Sequence, residues 1–274
     1  MRLGRWAGAL LVLVLLLAVA GCSGGGQEKP ASPSSAAGTT TNAAPSPAPR
    51  VGACYVLDVR AALRATSSLA PVSCSRRHTA VTVSVGRVQP VLDGHLLALD
   101  STRVQSQIAD RCLRSVDAYV GGSTGRQRLS RVQAVWFNPT PPQADRGALW
   151  YRCDLVVSSG TRAFAPLPRT TKGLLEPAGA MNRWGTCGTA SPSSKHFQRV
   201  LCSAGHTWRA RTTTTLPRGT VYLSAKATKA ANSRCRDVAA HLSPNSTKLR
   251  WAFEWPNRDQ WRSGQRYGFC WTPG

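Results

Sequence analysis

Cys22 carries the most specific chemical prediction in this sequence, because its thiol is a nucleophile that can be acylated. A short basic start precedes an apolar run from Ala7 to Ala20, and the run closes on Ala20-Gly21-Cys22. A basic start, an apolar middle and a small-residue end are typical of an export signal. The alternative is an uncleaved membrane anchor, but the run is shorter than the roughly 20 residues that a span needs.

The position of Cys22 resembles that in a bacterial lipoprotein signal, in which the thiol receives a diacylglyceryl group before cleavage. We therefore predict a signal peptide over residues 1–21 and a mature chain that begins with lipidated Cys22. Two acyl chains give stable anchoring where one chain is marginal. The predicted location is the extracytoplasmic face of the cell membrane.

The remaining eight cysteines predict disulfide bonds. An even number of cysteines in an exported chain is typical of a disulfide framework. Metal binding is the alternative, but the sequence contains no Cys-x-x-Cys pair. An oxidising compartment also disfavours free thiolate ligands. We expect neither a metal nor a cofactor.

These cysteines belong to a unit that occurs twice. The segment from Cys74 to His78-Thr79 recurs from Cys202 to His206-Thr207. Another cysteine precedes each copy, Cys54 in the first and Cys187 in the second. A β-like run follows each copy. Such an ordered repetition predicts an internal duplication.

Each unit continues with a predicted helix. In the first unit, apolar residues recur at three- or four-residue steps from Ser101 to Val120, with Cys112 among them. From Ser224 to Leu242 the same pattern includes Cys235, Val238 and Leu242. The helical cysteine of each unit is therefore expected to face the sheet.

Each unit ends in a predicted hairpin. The first arms are residues 131–137 and 249–255, and the second arms carry Cys153 and Cys270. Four cysteines allow three pairings in each unit. The preferred set lies within the units: Cys54–Cys74, Cys112–Cys153, Cys187–Cys202 and Cys235–Cys270.

The predicted fold class is α+β. It comprises two repeated small domains, each a mainly antiparallel sheet with one helix and two disulfides. After the signal peptide we predict a disordered tether over residues 22–50, because this stretch is rich in Pro, Ser, Ala and Thr. The first repeat is predicted over 51–165, a connection over 166–182 and the second repeat over 183–274.

The chain resembles the septum formation-related domain family of exported actinobacterial proteins. In the first unit the matching residues are Gly52, Cys54, Cys74, His78, Cys112, Trp136, Pro139, Gly147 and Cys153. In the second they are Gly185, Cys187, Cys202, His206, Cys235, Pro256, Trp261, Gly264 and Cys270. The first unit departs from the family by having Ala144 where a tryptophan belongs. The resemblance implies an envelope role linked to septum formation and no established chemistry.

His78 and His206 are the histidines that the duplication repeats. Catalysis would need an orienting carboxylate and a nucleophile, but Asp58 and Asp154 have no acidic counterparts in the second unit. Zinc binding by Cys-x-x-x-His would compete with a disulfide. We expect a structural histidine that bonds the backbone beside each bridge, and no catalytic residue.

The candidate ligand-binding residues are aromatic and basic. Four tryptophans have no aromatic counterpart in the first unit: Trp251, Trp255, Trp261 and Trp271. Arginines interleave with them, among them Arg258, Arg262 and Arg266. Guanidinium groups and aromatic faces suit stacking on sugars or bases and pairing with phosphates. The alternative is a unit–unit interface or a larger second core. A platform requires that Trp255 or Trp261 be substantially exposed.

The formal charge of +23 favours polyanionic partners. The predicted function is that of a non-enzymatic, lipid-anchored binding or assembly protein of the cell envelope. Its expected partners are an anionic or glycan envelope polymer or an envelope protein, besides the membrane. Two alternatives stay open: an envelope hydrolase using His78 or His206, and an extracellular binder of nucleic acid, which is the less favoured partner.

Overall fold

A computed structural model describes residues 44, 46–243 and 249–274 of the chain. The predicted signal peptide, Cys22 and most of the predicted tether lie outside the described residues. Residues Ala43–Gly274 form one compact unit, which holds all four disulfides. Within the described ranges, no helix combines the length and apolarity that crossing a membrane requires.

The first repeat is a four-stranded antiparallel sheet covered by one long helix. Its strands follow the order β1-β2-β6-β5, and β3 and β4 form a separate hairpin. Its elements in chain order are β1 (Cys54–Tyr55), α1 (Val59–Ala62), β2 (Ala80–Arg87), β3 (Val91–Leu92), β4 (His95–Leu96), α2 (Thr102–Val120), α3 (Thr124–Leu129), β5 (Val132–Phe137), α4 (Pro141–Asp145) and β6 (Trp150–Val157).

The second repeat has the same plan with one additional edge strand. Its sheet order is β8-β7-β9-β11-β10. Its elements in chain order are α5 (Ala180–Trp184), β7 (Thr186–Gly188), β8 (Arg199–Leu201), β9 (Trp208–Thr215), α6 (Ala225–Leu242), β10 (Ala252–Glu254), α7 (Arg258–Arg262) and β11 (Tyr267–Pro273). The predicted α+β class with two antiparallel sheets is therefore confirmed.

The duplication extends to the register of the central strand pair. In the first sheet Asp154 pairs with Thr82, and the register shifts before the next pair. In the second sheet Trp271 pairs with Ala210, and the register shifts at the same place. A β-bulge bends the strand and increases its twist. Both sheets consequently present corresponding strand positions on the same face.

The four predicted disulfides are the ones that the structure contains. Cys54–Cys74 and Cys187–Cys202 close the start of each repeat, and Cys112–Cys153 and Cys235–Cys270 join each helix to the central strand. Since Cys74 and Cys202 are bonded, neither can serve as a zinc thiolate beside its histidine.

The two helices bury the same face with different side chains. In α2 the buried residues besides the cysteine are Val104, Ile108, Val116 and Val120. In α6 they are Ala227, Ala231 and Ala239. The predicted apolar stripe of α6 was wrong at its end: Leu242 is exposed and Ala239 takes the last buried position.

Residues of the predicted connection pack into the hydrophobic core of the first repeat. Leu167, Leu174 and Leu175 are buried against the core that α2 covers. The repeats also meet directly through an antiparallel bridge between Ser130 and Gly185. Beside this bridge, burial and the nearby Arg199 charge lower the pKa of Arg131 to about 10.

Candidate functional site

The candidate site lies on the terminal hairpin of the second repeat, where α7 connects β10 to β11. Asn257 caps α7, and its side chain accepts a hydrogen bond of 2.8 Å from the Gln260 N–H. Gly264 ends the turn with a φ of 95°, which a residue with a side chain rarely adopts. Gly147 has a φ of 79° at the equivalent place in the first repeat. The loop scaffold is therefore common to both repeats, and the side chains distinguish them.

Two tryptophans of this hairpin pack together with a tyrosine from the segment before α6. The ring centroids of Tyr222 and Trp261 lie 5.3 Å apart, and those of Trp255 and Trp261 lie 6.2 Å apart. Tyr222 also contacts Trp255 edge to face at 6.0 Å. These distances fall within the range of favourable aromatic pairs. We call Tyr222, Phe253, Trp255 and Trp261 the aromatic cluster.

Phe253 joins the aromatic cluster because a glycine makes room for it. Its ring centroid is 5.7 Å from that of Trp255. On the neighbouring strand, a Cβ at Gly268 would come within 2.3 Å of the Phe253 ring. Only glycine fits there without displacing the ring, so this position fixes one side of the cluster.

Two of the three candidate arginines lie on the aromatic cluster. The Arg266 guanidinium carbon is 4.0 Å from the Trp261 ring centroid, and its Nη1 donates to the Trp261 carbonyl oxygen. Arg258 lies 5.7 Å from the Tyr222 ring centroid. Arg262 instead pairs with Asp259, with 3.4 Å between Nη1 and Oδ1. The cluster therefore carries cationic charge beside its rings.

The tryptophans of the cluster are less accessible than expected. Trp255 and Trp261 are both half-buried, because they pack on each other and on Tyr222. The expectation of a substantially exposed ring at one of them was wrong. Among the described residues, the buried Trp255 Nε1–H has no hydrogen-bond partner.

Two other tryptophans are not part of the cluster. Trp271 is fully buried, as the alternative of a larger second core predicted. Trp251 is half-buried and makes no ring contact with the cluster within the described part of the chain. Conversely, the sequence analysis missed Tyr222. This residue lies just before Ser224, the N-cap of α6, at the position that corresponds to Leu99 before Ser101, the N-cap of α2. Comparing these positions would have revealed it as another added aromatic.

Charge concentrates on the second repeat. Residues 51–165 contain fourteen basic and seven acidic residues, whereas residues 183–274 contain fifteen basic and only three acidic ones. Of those three acids, Glu254 and Asp259 already pair with arginines. The cluster thus combines aromatic faces, free cationic groups and a basic surrounding surface, which is the chemistry that stacks sugar rings and binds anions.

Both histidines hydrogen-bond to the backbone near their disulfides, as the sequence predicted. In each repeat the ring Nδ1 lies 2.8 Å from the carbonyl oxygen two residues earlier, at Arg76 for His78 and at Ala204 for His206. Because a carbonyl only accepts, Nδ1 is the protonated nitrogen in both. His78 is buried and His206 is half-buried.

The fold and its bridges define a duplicated, disulfide-bonded α+β protein. The sequence pattern of the Septum formation family matches the chain twice, at residues 21–136 and 123–270. These matches cover most of the chain, so the protein belongs to the Septum formation family, and the two matched segments agree with a duplication. None of the curated proteins and none of the solved structures compared with the chain matches it.

Proposed function

We propose that this protein is a non-enzymatic envelope-binding protein that acts in septum or cell-wall assembly. Its family and its four disulfides support a role outside the cytoplasm. Its partner is an anionic or glycan polymer of the envelope, bound at the aromatic cluster. The observation that carries this proposal is the packing of Arg258 and Arg266 against the rings of Tyr222 and Trp261.

The binding mode follows from the chemistry of the cluster. Phosphate or carboxylate groups of the polymer pair with Arg258 and Arg266, while its sugars contact the accessible edges of Trp255 and Trp261. Nothing in this mode requires bond cleavage, which is why we propose a binding role.

A sedimentation assay with purified cell wall tests the proposal. Residues 43–274, which form a compact unit, should sediment with intact wall and less with wall stripped of its anionic polymers. Arg266→Gln should weaken binding without affecting the core, because Arg266 is exposed. Trp261→Ala should also weaken binding, because it removes the ring on which Arg266 packs.

The first repeat supplies the matched control. Arg146 is exposed on the corresponding hairpin loop of the first repeat, so Arg146→Gln makes the same change outside the aromatic cluster. It should bind as well as the parent protein. Equal binding by Arg266→Gln, Trp261→Ala and the parent would exclude the cluster as the binding site. A steep salt dependence with nucleic acid, and no retention on wall, would instead favour a nucleic-acid partner.

The lipid anchor at Cys22 completes the proposal. The supporting observation is the sequence Ala20-Gly21-Cys22 directly after the apolar run. Cys22→Ala should accumulate as a precursor that retains residues 1–21, because the acylated cysteine is the cleavage position. Mass spectrometry of the purified protein measures this directly. A variant that is processed and retained in the membrane like the parent would exclude lipidation.

A further inference from the structure

The second repeat contains a cavity that sequence analysis did not anticipate. It has a volume of about 510 Å³ and lies between α6 and the end of β9, below residues 216–221. Small side chains line it: those of Ala227 and Ala231 are buried, and that of Ala230 is exposed. Cavities of this size hold small-molecule ligands in other proteins.

The cavity exists because the second repeat lacks bulk that the first repeat has. Counting from the helical cysteines, Ala227 and Ala231 stand where α2 has Val104 and Ile108. The segment between strand and helix is also shorter, running from residue 216 to 223 rather than from 88 to 100. In the first repeat that longer segment packs three leucines against the core: Leu92, Leu97 and Leu99. The same framework is therefore filled in one repeat and hollow in the other.

The rim of this cavity is cationic. Arg218, Lys226 and Arg234 line it, and its lining includes no carboxylate. None of the three forms an ion pair with an acid in the described part of the chain. Val221, also at the rim, is 71% exposed. An apolar interior with an unneutralised cationic rim is complementary to a molecule that has an apolar body and an anionic end.

We propose that this cavity binds an amphiphile with one apolar chain and an anionic phosphate or carboxylate head group. The chain lies against the alanines of α6, where burying apolar surface provides the driving force. The head group pairs with Arg218, Lys226 or Arg234. The cavity lining shares no residue with the aromatic cluster, so this site is independent of the proposed wall-binding site.

Calorimetric titration of residues 43–274 tests the assignment, with probes kept below their micelle concentrations. Dodecyl phosphate and laurate present the same chain with the two head groups, and at least one should bind with a single site. Inorganic phosphate tests the head alone, and dodecyl maltoside tests the chain alone. Both should bind at least about tenfold more weakly, because each lacks half of the complementary chemistry.

Variants copied from the first repeat provide the structural test. Ala227→Val with Ala231→Ile fills the cavity with the side chains that α2 uses, and should abolish binding while the thermal midpoint is kept or raised. Ala239→Val is the matched control, since it makes a similar change on the same buried face outside this cavity. It should leave binding unchanged.

The rim is tested without touching the core. Arg234→Gln should weaken binding roughly tenfold, because a charge-assisted hydrogen bond is lost. Arg236→Gln, which is exposed on the same helix but not part of the lining, should have no effect. The proposal is overturned if neither anionic amphiphile binds, or if dodecyl maltoside or inorganic phosphate binds equally well. It is also overturned if binding survives in the filled-cavity variant, or if Arg234→Gln binds as tightly as the parent protein.

Discussion

The two repeats bury the sheet face opposite the helix with different chemistry. At matching positions of the central strand, the first repeat has Arg152 and Asp154, and the second has Phe269 and Trp271. The neighbouring strand also changes from polar to apolar: Thr82 of β2 in the first repeat corresponds to Ala210 of β9 in the second. One backbone framework therefore accommodates either an ion pair or aromatic rings in its interior.

In the first repeat a buried ion pair occupies this face. Arg152 Nε lies 3.1 Å from Asp154 Oδ2, and both side chains are almost completely buried. The Thr82 hydroxyl donates to Asp154 Oδ1 at 2.7 Å. The Arg152 guanidinium carbon lies 3.9 Å from the Tyr55 ring centroid and 4.8 Å from that of Phe137. Each charge depends on its partners because both side chains are buried away from solvent.

In the second repeat the ionic contact lies at the edge of the corresponding sheet face. Trp271 packs edge to face on Phe197 at 5.2 Å, and its Nε1–H donates to Glu254 at 3.0 Å. Glu254 pairs with Arg199 at 2.7 Å, and this pair is partly exposed. The comparison indicates that the charges are replaceable in this fold, but that the first repeat has become dependent on them.

Removing one charge should give the largest effect. Asp154→Ala leaves the Arg152 guanidinium buried without its counter-ion, so the free energy of unfolding should fall by about 3–5 kcal/mol at neutral pH. Urea unfolding measures this loss. The double variant Arg152→Met with Asp154→Ala should lose less than the two single variants combined. Additive losses would show that the two charges are not coupled.

Removing the helix–sheet disulfides should have the next largest effect and should differ between the repeats. Replacing Cys112 and Cys153 by alanine, or Cys235 and Cys270, should cost about 2–5 kcal/mol. Because α6 buries mainly alanines, we expect it to lose more hydrogen-exchange protection without its bridge than α2 does. Equal protection losses would contradict the view that α6 depends more on its disulfide.

The histidines provide a smaller comparison. His78→Ala removes a buried ring and leaves the Arg76 carbonyl without its donor, so it should cost about 1–3 kcal/mol. His206→Ala at the equivalent half-buried site should cost less than about 1 kcal/mol, since water can replace the ring. Thermal melts of both variants measure the difference. A larger loss for His206→Ala would indicate that burial does not set the cost.

The smallest expected effect is on the pH dependence of stability. Burial raises the pKa of Asp154 above its ordinary value of 3.8, and Arg152 and Thr82 offset this only in part. A folded-state pKa above the ordinary value stabilises the folded protein at pH values below that ordinary value. This stability is lost as the pH rises through the folded-state pKa. Asp154→Asn should remove that decline. Unfolding curves at a series of pH values, compared with the parent protein, measure it. An unchanged pH profile in the variant would assign the dependence to other groups.

The elements and bridges of this protein were predictable because they depend on local patterns. Helical periodicity placed Cys112 and Cys235 on buried faces, and the order of the cysteines restricted each to partners within its unit. The hairpins followed from Pro139, Pro256 and the glycines that follow them. Such signals are encoded in short stretches of chain, and the duplication repeated each of them.

The candidate site was only partly predictable because exposure is a tertiary property. Alignment of the repeats identified Trp255, Trp261 and Trp271 as additions, but it could not distinguish a surface ring from a buried one. Trp271 lies in the core because β11 is a central strand, and Arg262 is neutralised by Asp259 one helical turn away. Tyr222 joined the cluster only through packing between the segment before α6 and the terminal hairpin.

The sequence by itself determined the duplication, the two long helices and the central strands, and it favoured the observed pairing of the cysteines, because each is recorded in residue order and spacing. Only the tertiary structure decided which aromatic rings meet, that Arg152 and Asp154 share an interior, and that α6 leaves a cavity beside β9. Those outcomes depend on volumes and charges contributed by segments distant in the chain, and side-chain packing of that kind is fixed only when the sheet and the helix come together.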